Sequence, residues 1–252
     1  MRVNNKKSKE ILNELLSTST NPLCDKGDRL MLDNRYKDAV VEYLNALLNS
    51  NGNIRAYVSA SKAYKKLKEY DKAIKKLECA RKLSSFNPEI YYELGTNYLL
   101  NKDSDLARKS FIKTIRLDKK NVNAQMQLAL SHERLDEHEM ALAIYQKIIE
   151  ENPRLVLPYS HKAALYMQMG QYNEAIKVFG QTLKVKPDYF KAYLGIGICL
   201  DKMGKFSSAA RFYKKYIVKK PKSITTKALV GRICEMYELE QLGVGAKHLR
   251  LV

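Results

Sequence analysis

The sequence predicts an all-α fold made of six consecutive helix pairs. Three observations carry that reading. A gapless 34-residue period runs from residue 20 to residue 223, and one column of it is alanine in every copy. The chain is poor in turn formers, with 11 Gly and 6 Pro in 252 residues. It also lacks the alternating Val, Ile and Thr runs that mark strands.

The period shows first where it is strongest. Residues 167–189, MQMGQYNEAIKVFGQTLKVKPDY, and 201–223, DKMGKFSSAARFYKKYIVKKPKS, both run Met-Gly, one residue, an aromatic, two residues, Ala, and later Lys-Pro. Stepping back by 34 gives the copies 20–53, 54–87, 88–121, 122–155, 156–189 and 190–223. Numbered 1 to 34 within each copy, position 20 is Ala39, Ala73, Ala107, Ala141, Ala175 and Ala209. Position 24 is large: Tyr43, Leu77, Phe111, Tyr145, Phe179 and Tyr213. Position 8 is small: Gly27, Ser61, Gly95, Ala129, Ala163 and Gly197.

Spacing converts these columns into elements. Positions 4, 7, 8 and 11 make one face of a first helix, and 20, 24, 27 and 28 one face of a second. Gly, Asp, Asn or Lys at positions 15 and 16 separates the two. Small residues at 8 and 20 let the backbones approach, and the aromatics fill the space around them. One such pair cannot bury its apolar face alone, so neighbours must stack. Before the array, residues 1–19 form an N-terminal segment in which Lys6–Ser17 predicts a short amphipathic helix through Ile11, Leu12, Leu15 and Leu16. After it, 224–252 predicts a capping helix over 224–242 and a tail broken by Gly243 and Gly245.

This pattern resembles the tetratricopeptide repeat family over residues 20–223. Copies five and six match it best. Copy four departs, with Gln125 at position 4 and Asp136 at the usual Gly position. The resemblance implies a right-handed α-solenoid of six 34-residue helix-turn-helix repeats, closed by the C-terminal capping helix. It also implies a non-enzymatic scaffold that holds a partner peptide or helix in a concave groove.

The sequence offers little chemistry of its own. SHERLDEHE (131–139) suggests a metal site, yet His132 and His138 occupy the aromatic slots 11 and 17, which assigns them to packing. Gly195-Ile196-Gly197 lacks the strand and third glycine of a dinucleotide fingerprint. No nucleophile elbow, phosphate loop or HExxH occurs, and His161 and His248 have no visible partners. No catalytic residue, metal or cofactor is therefore expected. Cys24, Cys79, Cys199 and Cys234 lack zinc-ligand spacing and read as reduced thiols. No apolar run reaches membrane-spanning length, and the basic N-terminus is too polar for a secretory leader, which makes a cytoplasmic protein the expectation.

Charge is the second signal. The net value is +18, distributed as +8 over residues 1–87, −1 over 88–155 and +11 over 156–252. KKLKEYDKAIKK (65–76) and KKYIVKKPK (214–222) are the dense clusters. Such a field attracts anions, so a basic helical repeat binding nucleic acid is the alternative function. Most of these lysines fall between core positions of second helices, which suits a solvated outer surface.

In the family the groove is lined by first-helix positions 2, 5, 9, 12 and 13. Carried onto this chain, they give a partner-binding set of Lys62, Lys65, Tyr92, Leu99, Met126, Leu130, Met167, Lys191, Leu194, Ile198 and Lys202. The expected ligand is an amphipathic helix or extended segment whose acidic ends meet the lysines. The residues with which one family subclass clamps the C-terminal carboxylate of heat-shock chaperones appear in no three consecutive copies. The alanine column supplies a test: Ala175→Leu is expected to overpack the helix contact and cost about 1–3 kcal/mol, measured by thermal or urea denaturation.

Overall fold

The computed structural model describes residues 21–241, with side chains to residue 238. The predicted N-terminal helix over Lys6–Ser17 and His248 lie outside the described residues. Thirteen helices and no strand occur among the described residues. The chain forms two compact units, one ending at Ser131 and one beginning at His132. The first holds α1 (Pro22–Leu32), α2 (Tyr36–Asn49), α3 (Ile54–Lys66), α4 (Tyr70–Leu83), α5 (Pro88–Leu100) and α6 (Ser104–Leu117). The junction falls within α7 (Val122–Arg134). The second unit continues with α8 (His138–Glu151), α9 (Val156–Gln168), α10 (Tyr172–Val185), α11 (Phe190–Lys202), α12 (Phe206–Lys219) and α13 (Ile224–Gln241). In each unit consecutive helices pack on one another in chain order.

The turn inside each pair is the same six times. The residue at position 15 is left-handed in every copy: Asn34, Lys68, Lys102, Asp136, Gly170 and Gly204, with φ between 56° and 74°. The next N–H then reaches back five residues to the position-11 carbonyl, at 2.9 Å in each copy from Arg35→Leu30 to Lys205→Leu200. This is a Schellman stop, which satisfies carbonyls that the helix end would otherwise leave bare. Asp136 thus fills the same backbone role as the glycines of copies five and six. First helices open on asparagine caps in the front copies: Asn21, Asn53, Asn87 and Asn121 each accept from the backbone two or three residues on.

The core sits between the two helices of each pair. All six position-20 alanines have no exposed surface. A Cβ placed on Gly27, Gly95 or Gly197 would stand 2.5–2.6 Å from the ring of Tyr43, Phe111 or Tyr213, so the position-24 ring lies flat on the position-8 backbone. Gly195 is a second such contact: its Cβ would meet the Phe179 ring of the preceding copy at 2.4 Å. Both glycines of the 195–197 segment are therefore explained by packing. Position 3 adds a buried row that the period alone does not single out, with Ala56, Ile90, Ala124 and Ala192 at 0% exposure.

In four copies a position-4 side chain ties the pair to the loop before it. Tyr91, Tyr159 and Tyr193 donate to the position-32 carbonyls of Ser85, Pro153 and Pro187 at 2.8–3.1 Å. Gln125 donates through Nε2 to the equivalent Lys119 carbonyl at 3.1 Å. The apparent departure of copy four keeps the bond with a different donor.

The turn generates a prediction. A non-glycine residue in the left-handed region costs about 1–2 kcal/mol, partly offset by the greater unfolded-state freedom of glycine. Lys102→Gly is therefore expected to stabilise the protein by up to about 1 kcal/mol, whereas Gly170→Ala destabilises it by a similar amount. Paired urea titrations measure both.

Candidate functional site

The first helices of the N-terminal unit lie side by side and present charged residues to one another. Arg55 at the start of α3 reaches back to Asp25 and Asp28 of α1, at 2.7 Å each. Lys62 reaches forward to Glu89 of α5 at 2.6 Å, and Lys65 to Glu93 at 2.6 Å. Asp28 also accepts from the Tyr43 hydroxyl at 2.6 Å. Burial and that carboxylate push the Tyr43 phenol well above its ordinary range, so it remains a donor. The two aspartates hold the Arg55 guanidinium firmly charged.

Asp28, Tyr43, Arg55, Lys62 and Glu89 of this set rim a cleft of about 490 Å³. Ile54, Val58 and Met31 supply its apolar lining; Asp28, Arg55, Ser59, Lys62 and Glu89 supply its polar one. A mixed lining around an open cleft can hold a peptide through backbone hydrogen bonds while burying an aliphatic side chain.

The structure distributes the sequence-predicted groove set unevenly. In the N-terminal unit Lys62 lines the cleft, and Lys65 is ion-paired beside the nearly buried Glu93. Tyr92 is half-buried, its ring tilted on Phe111 at 6.0 Å, and Leu130 is half-buried. Leu99 and Met126 are only 6% and 5% exposed. They differ from the expectation of open groove residues because neighbouring side chains already cover them.

In the C-terminal unit Met167, Leu194 and Ile198 are half-buried against the core, and Lys191 and Lys202 are exposed. Between them Asp201 accepts from Tyr213 and from Arg232 of α13, the latter through two bonds of 2.8 and 3.1 Å. Exposed aliphatic surface also occurs at Leu157 of α9. His161 stacks on Tyr145 with ring centroids 5.7 Å apart, while the Tyr145 hydroxyl donates to Glu133. Desolvation lowers the His161 pKa against the weaker pull of Glu133.

Sequence reasoning missed the acidic half of this surface. A detectable signal was opposite charge at position 9 of one copy and position 2 of the next, as in Asp28 with Arg55 and Lys62 with Glu89. The histidine segment places His132 against Glu137 through Nδ1, and His138 opens α8. Among the described residues no three His, Cys, Asp or Glu side chains are gathered as metal ligands. All four cysteines are free, and burial raises the Cys199 thiol to about 11. No helix among the described residues is long and apolar enough to cross a membrane. Several lysines of the basic clusters lie over aromatic rings, Lys72 on Tyr64, Lys215 on Tyr193 and Phe212, and Lys220 on Phe190.

With this geometry in place, comparison with known proteins is specific. Three tetratricopeptide repeat family models match residues 54–78, 92–155 and 166–233, together more than half of the chain. The chain belongs to the tetratricopeptide repeat family. It is 29% identical over 150 residues to BBSome complex member BBS4 of Bos taurus, which covers 59% of this chain and 28% of that protein. Among solved structures it superposes on PilW, a type IV pilus biogenesis factor, with a TM-score of 0.70 at 17% identity, covering 83% of this chain and 97% of that one. It also superposes on YrrB, a TPR protein with an unusual peptide-binding site, with a TM-score of 0.58 at 18% identity, covering 74% and 96%. These likenesses establish the repeat fold. The chain spans less than two-fifths of the length of the curated relatives it matches first.

The half-buried His161 imidazole gives this tetratricopeptide protein a testable pH response. The folded-state pKa of His161 lies below its ordinary 6.5, so the unfolded chain binds the proton more readily. The stability tied to neutral His161 is complete above about pH 6.5 and is lost as the pH falls through the folded value. Melting temperature is expected to drop between pH 7 and 5 more steeply in the parent than in His161→Gln.

Proposed function

We propose that this chain is a non-enzymatic protein-interaction scaffold that holds a segment of a partner protein on its first-helix faces. Family membership supports the general role, since tetratricopeptide repeat proteins are generally scaffolds. The observation that carries the specific reading is the 490 Å³ cleft across α1, α3 and α5, with an apolar lining and charges of both signs on its rim. Its ion pairs already balance those charges, so the cleft suits an extended or helical segment with one aliphatic anchor and mixed polar flanks rather than a highly charged one. In the C-terminal unit, Met167, Leu194 and Ile198 with the exposed Lys191 and Lys202 suit a segment with apolar residues and an acidic end.

The test is affinity capture from the native cell followed by mapping of the bound segment as a synthetic peptide. The groove variant combines Met31→Ser with Lys62→Glu; the outer variant combines Lys75→Glu with Lys76→Glu. The groove variant is expected to stay folded, losing up to about 2 kcal/mol because the half-buried Met31 leaves the core it packs on while its ion pair is largely exposed, and to lose peptide affinity at least tenfold. The outer variant keeps it. Loss in the outer variant alone, with affinity falling linearly on a log–log salt plot and capture of nucleic acid, transfers the function to the basic surface.

A further inference from the structure

The last described helix, α13, keeps the packing face of a first helix, and among the described residues no second helix lies on it. In α11, Ile196, Gly197 and Leu200 occupy positions 7, 8 and 11 and are buried, with Tyr213 of α12 lying on Gly197. The matching residues of α13 are Val230, Gly231 and Cys234, and all three are exposed. A Cβ on Gly231 would meet no atom within 4 Å. Tyr237, one turn further on, is 45% exposed and extends the same stripe. The opposite face of α13 is conventional: Thr226, Leu229, Ile233 and Met236 are all below 9% exposure.

Charge indicates what fits there. From Lys202 to Cys234 the chain carries ten basic residues and no acidic one. Lys214 of α12 stands at the edge of the stripe, donating to the Tyr237 hydroxyl at 3.0 Å and lying 5.4 Å over its ring. Lys227 is exposed on α13 itself. Acidic residues follow on α13: Glu235 is engaged by Arg232 at 2.9 Å, and the exposed Glu238 lies four residues beyond Cys234, at the far end of the same stripe. The internal pairs show how a second helix sits on such a face: an alanine at position 20 in all six, and in the three pairs with glycine at position 8 a position-24 ring lying against it.

We propose that the Val230–Gly231–Cys234–Tyr237 face of α13 docks an acidic amphipathic helix of a partner protein, which completes a seventh helix pair in trans. The docked helix carries a small residue and, four residues later, an aromatic or leucine that lies on Gly231. Glutamates or aspartates along its edges meet Lys214 and Lys227. This surface is separate from the first-helix cleft, and it stands or falls independently of it.

The probe is a fluorescein-labelled peptide with the sequence of Tyr172–Val185 carrying Lys177→Glu and Lys184→Glu, titrated into the full chain and followed by anisotropy. It retains the Ala175 and Phe179 spacing of a second helix. Saturable binding is expected, with protection of Cys234 but not of the exposed Cys79 from a maleimide. Gly231→Leu is expected to weaken binding at least tenfold without lowering the melting temperature, because its side chain enters open space and leucine favours helix. Lys214→Glu with Lys227→Glu is expected to do the same, and Met31→Ser with Lys62→Glu to change nothing. The proposal is overturned by absence of saturable binding, by equal binding of the unaltered basic peptide, or by binding that survives Gly231→Leu. It is equally overturned if Gly231→Leu abolishes a concentration-dependent dimer of the chain, or if the peptide binds only after removal of residues 242–252. The first outcome makes the occupant a second copy and the second makes it the chain's own end.

Discussion

The close approach of two helix backbones at position 8 is the constraint on which each pair depends. Where that residue is glycine, a position-24 ring rests against bare backbone at a distance no side chain allows. Where position 20 meets the partner helix, nothing larger than alanine is accommodated and no surface remains. Fixing these contacts fixes the crossing of the helices, and with it the turn: six left-handed residues at position 15 and six identical backward hydrogen bonds follow. Burial of each position-24 side chain contributes about 1.5–3 kcal/mol. That is too little to order a pair by itself, because each ordered residue costs about 1–2 kcal/mol of backbone freedom. Neighbouring pairs must therefore share faces, which is the work of position 3 and of the position-4 donors.

What the sequence made legible follows from that hierarchy. Positions 8, 20 and 24 demand a particular size, so their columns stay uniform over six copies. Position 15 demands a backbone angle rather than a size, and Lys68 and Lys102 adopt it at a cost without announcing it. Position 4 demands a donor at a given reach, which Gln125 meets as well as tyrosine. A substitution that looked like a lapse in the pattern is thus a conserved bond. The buried row at position 3 stayed hidden because alanine fits both an interior and a surface.

The candidate site was legible in position but not in state. Lys62 and Lys65 are where the period places them, yet each is matched by a glutamate 27 or 28 residues later. A pair at that separation becomes visible only when the next first helix is laid alongside. Leu99 and Met126 read as surplus apolar residues because the repeated columns leave their positions out of the core, yet Leu99 packs with Ala107 and Phe111 of its own pair. The ligand proposed for the N-terminal cleft would consequently meet an electrostatically balanced rim. The exposed pairs of that rim, Arg55–Asp28 and Lys62–Glu89, hold together by about 0–1 kcal/mol, so they would orient the proposed ligand rather than bind it by charge alone.

The same reasoning separates what the period encodes from what departures from it encode. In copy three, position 6 is Glu93, almost buried and held by Lys65 of the preceding first helix. In copy six, position 6 is Gly195, and the vacated volume admits the Phe179 ring of the preceding copy. One position therefore joins neighbours by an ion pair in one place and by an aromatic ring on bare backbone in another. Both are contacts between copies, not within them. In an array whose stability is a sum of unit and neighbour contributions, the unit contribution is written in the invariant columns. The neighbour contribution is written in the variable ones, and it is there, on the faces where first helices meet, that one tetratricopeptide array comes to differ from another in what it can hold.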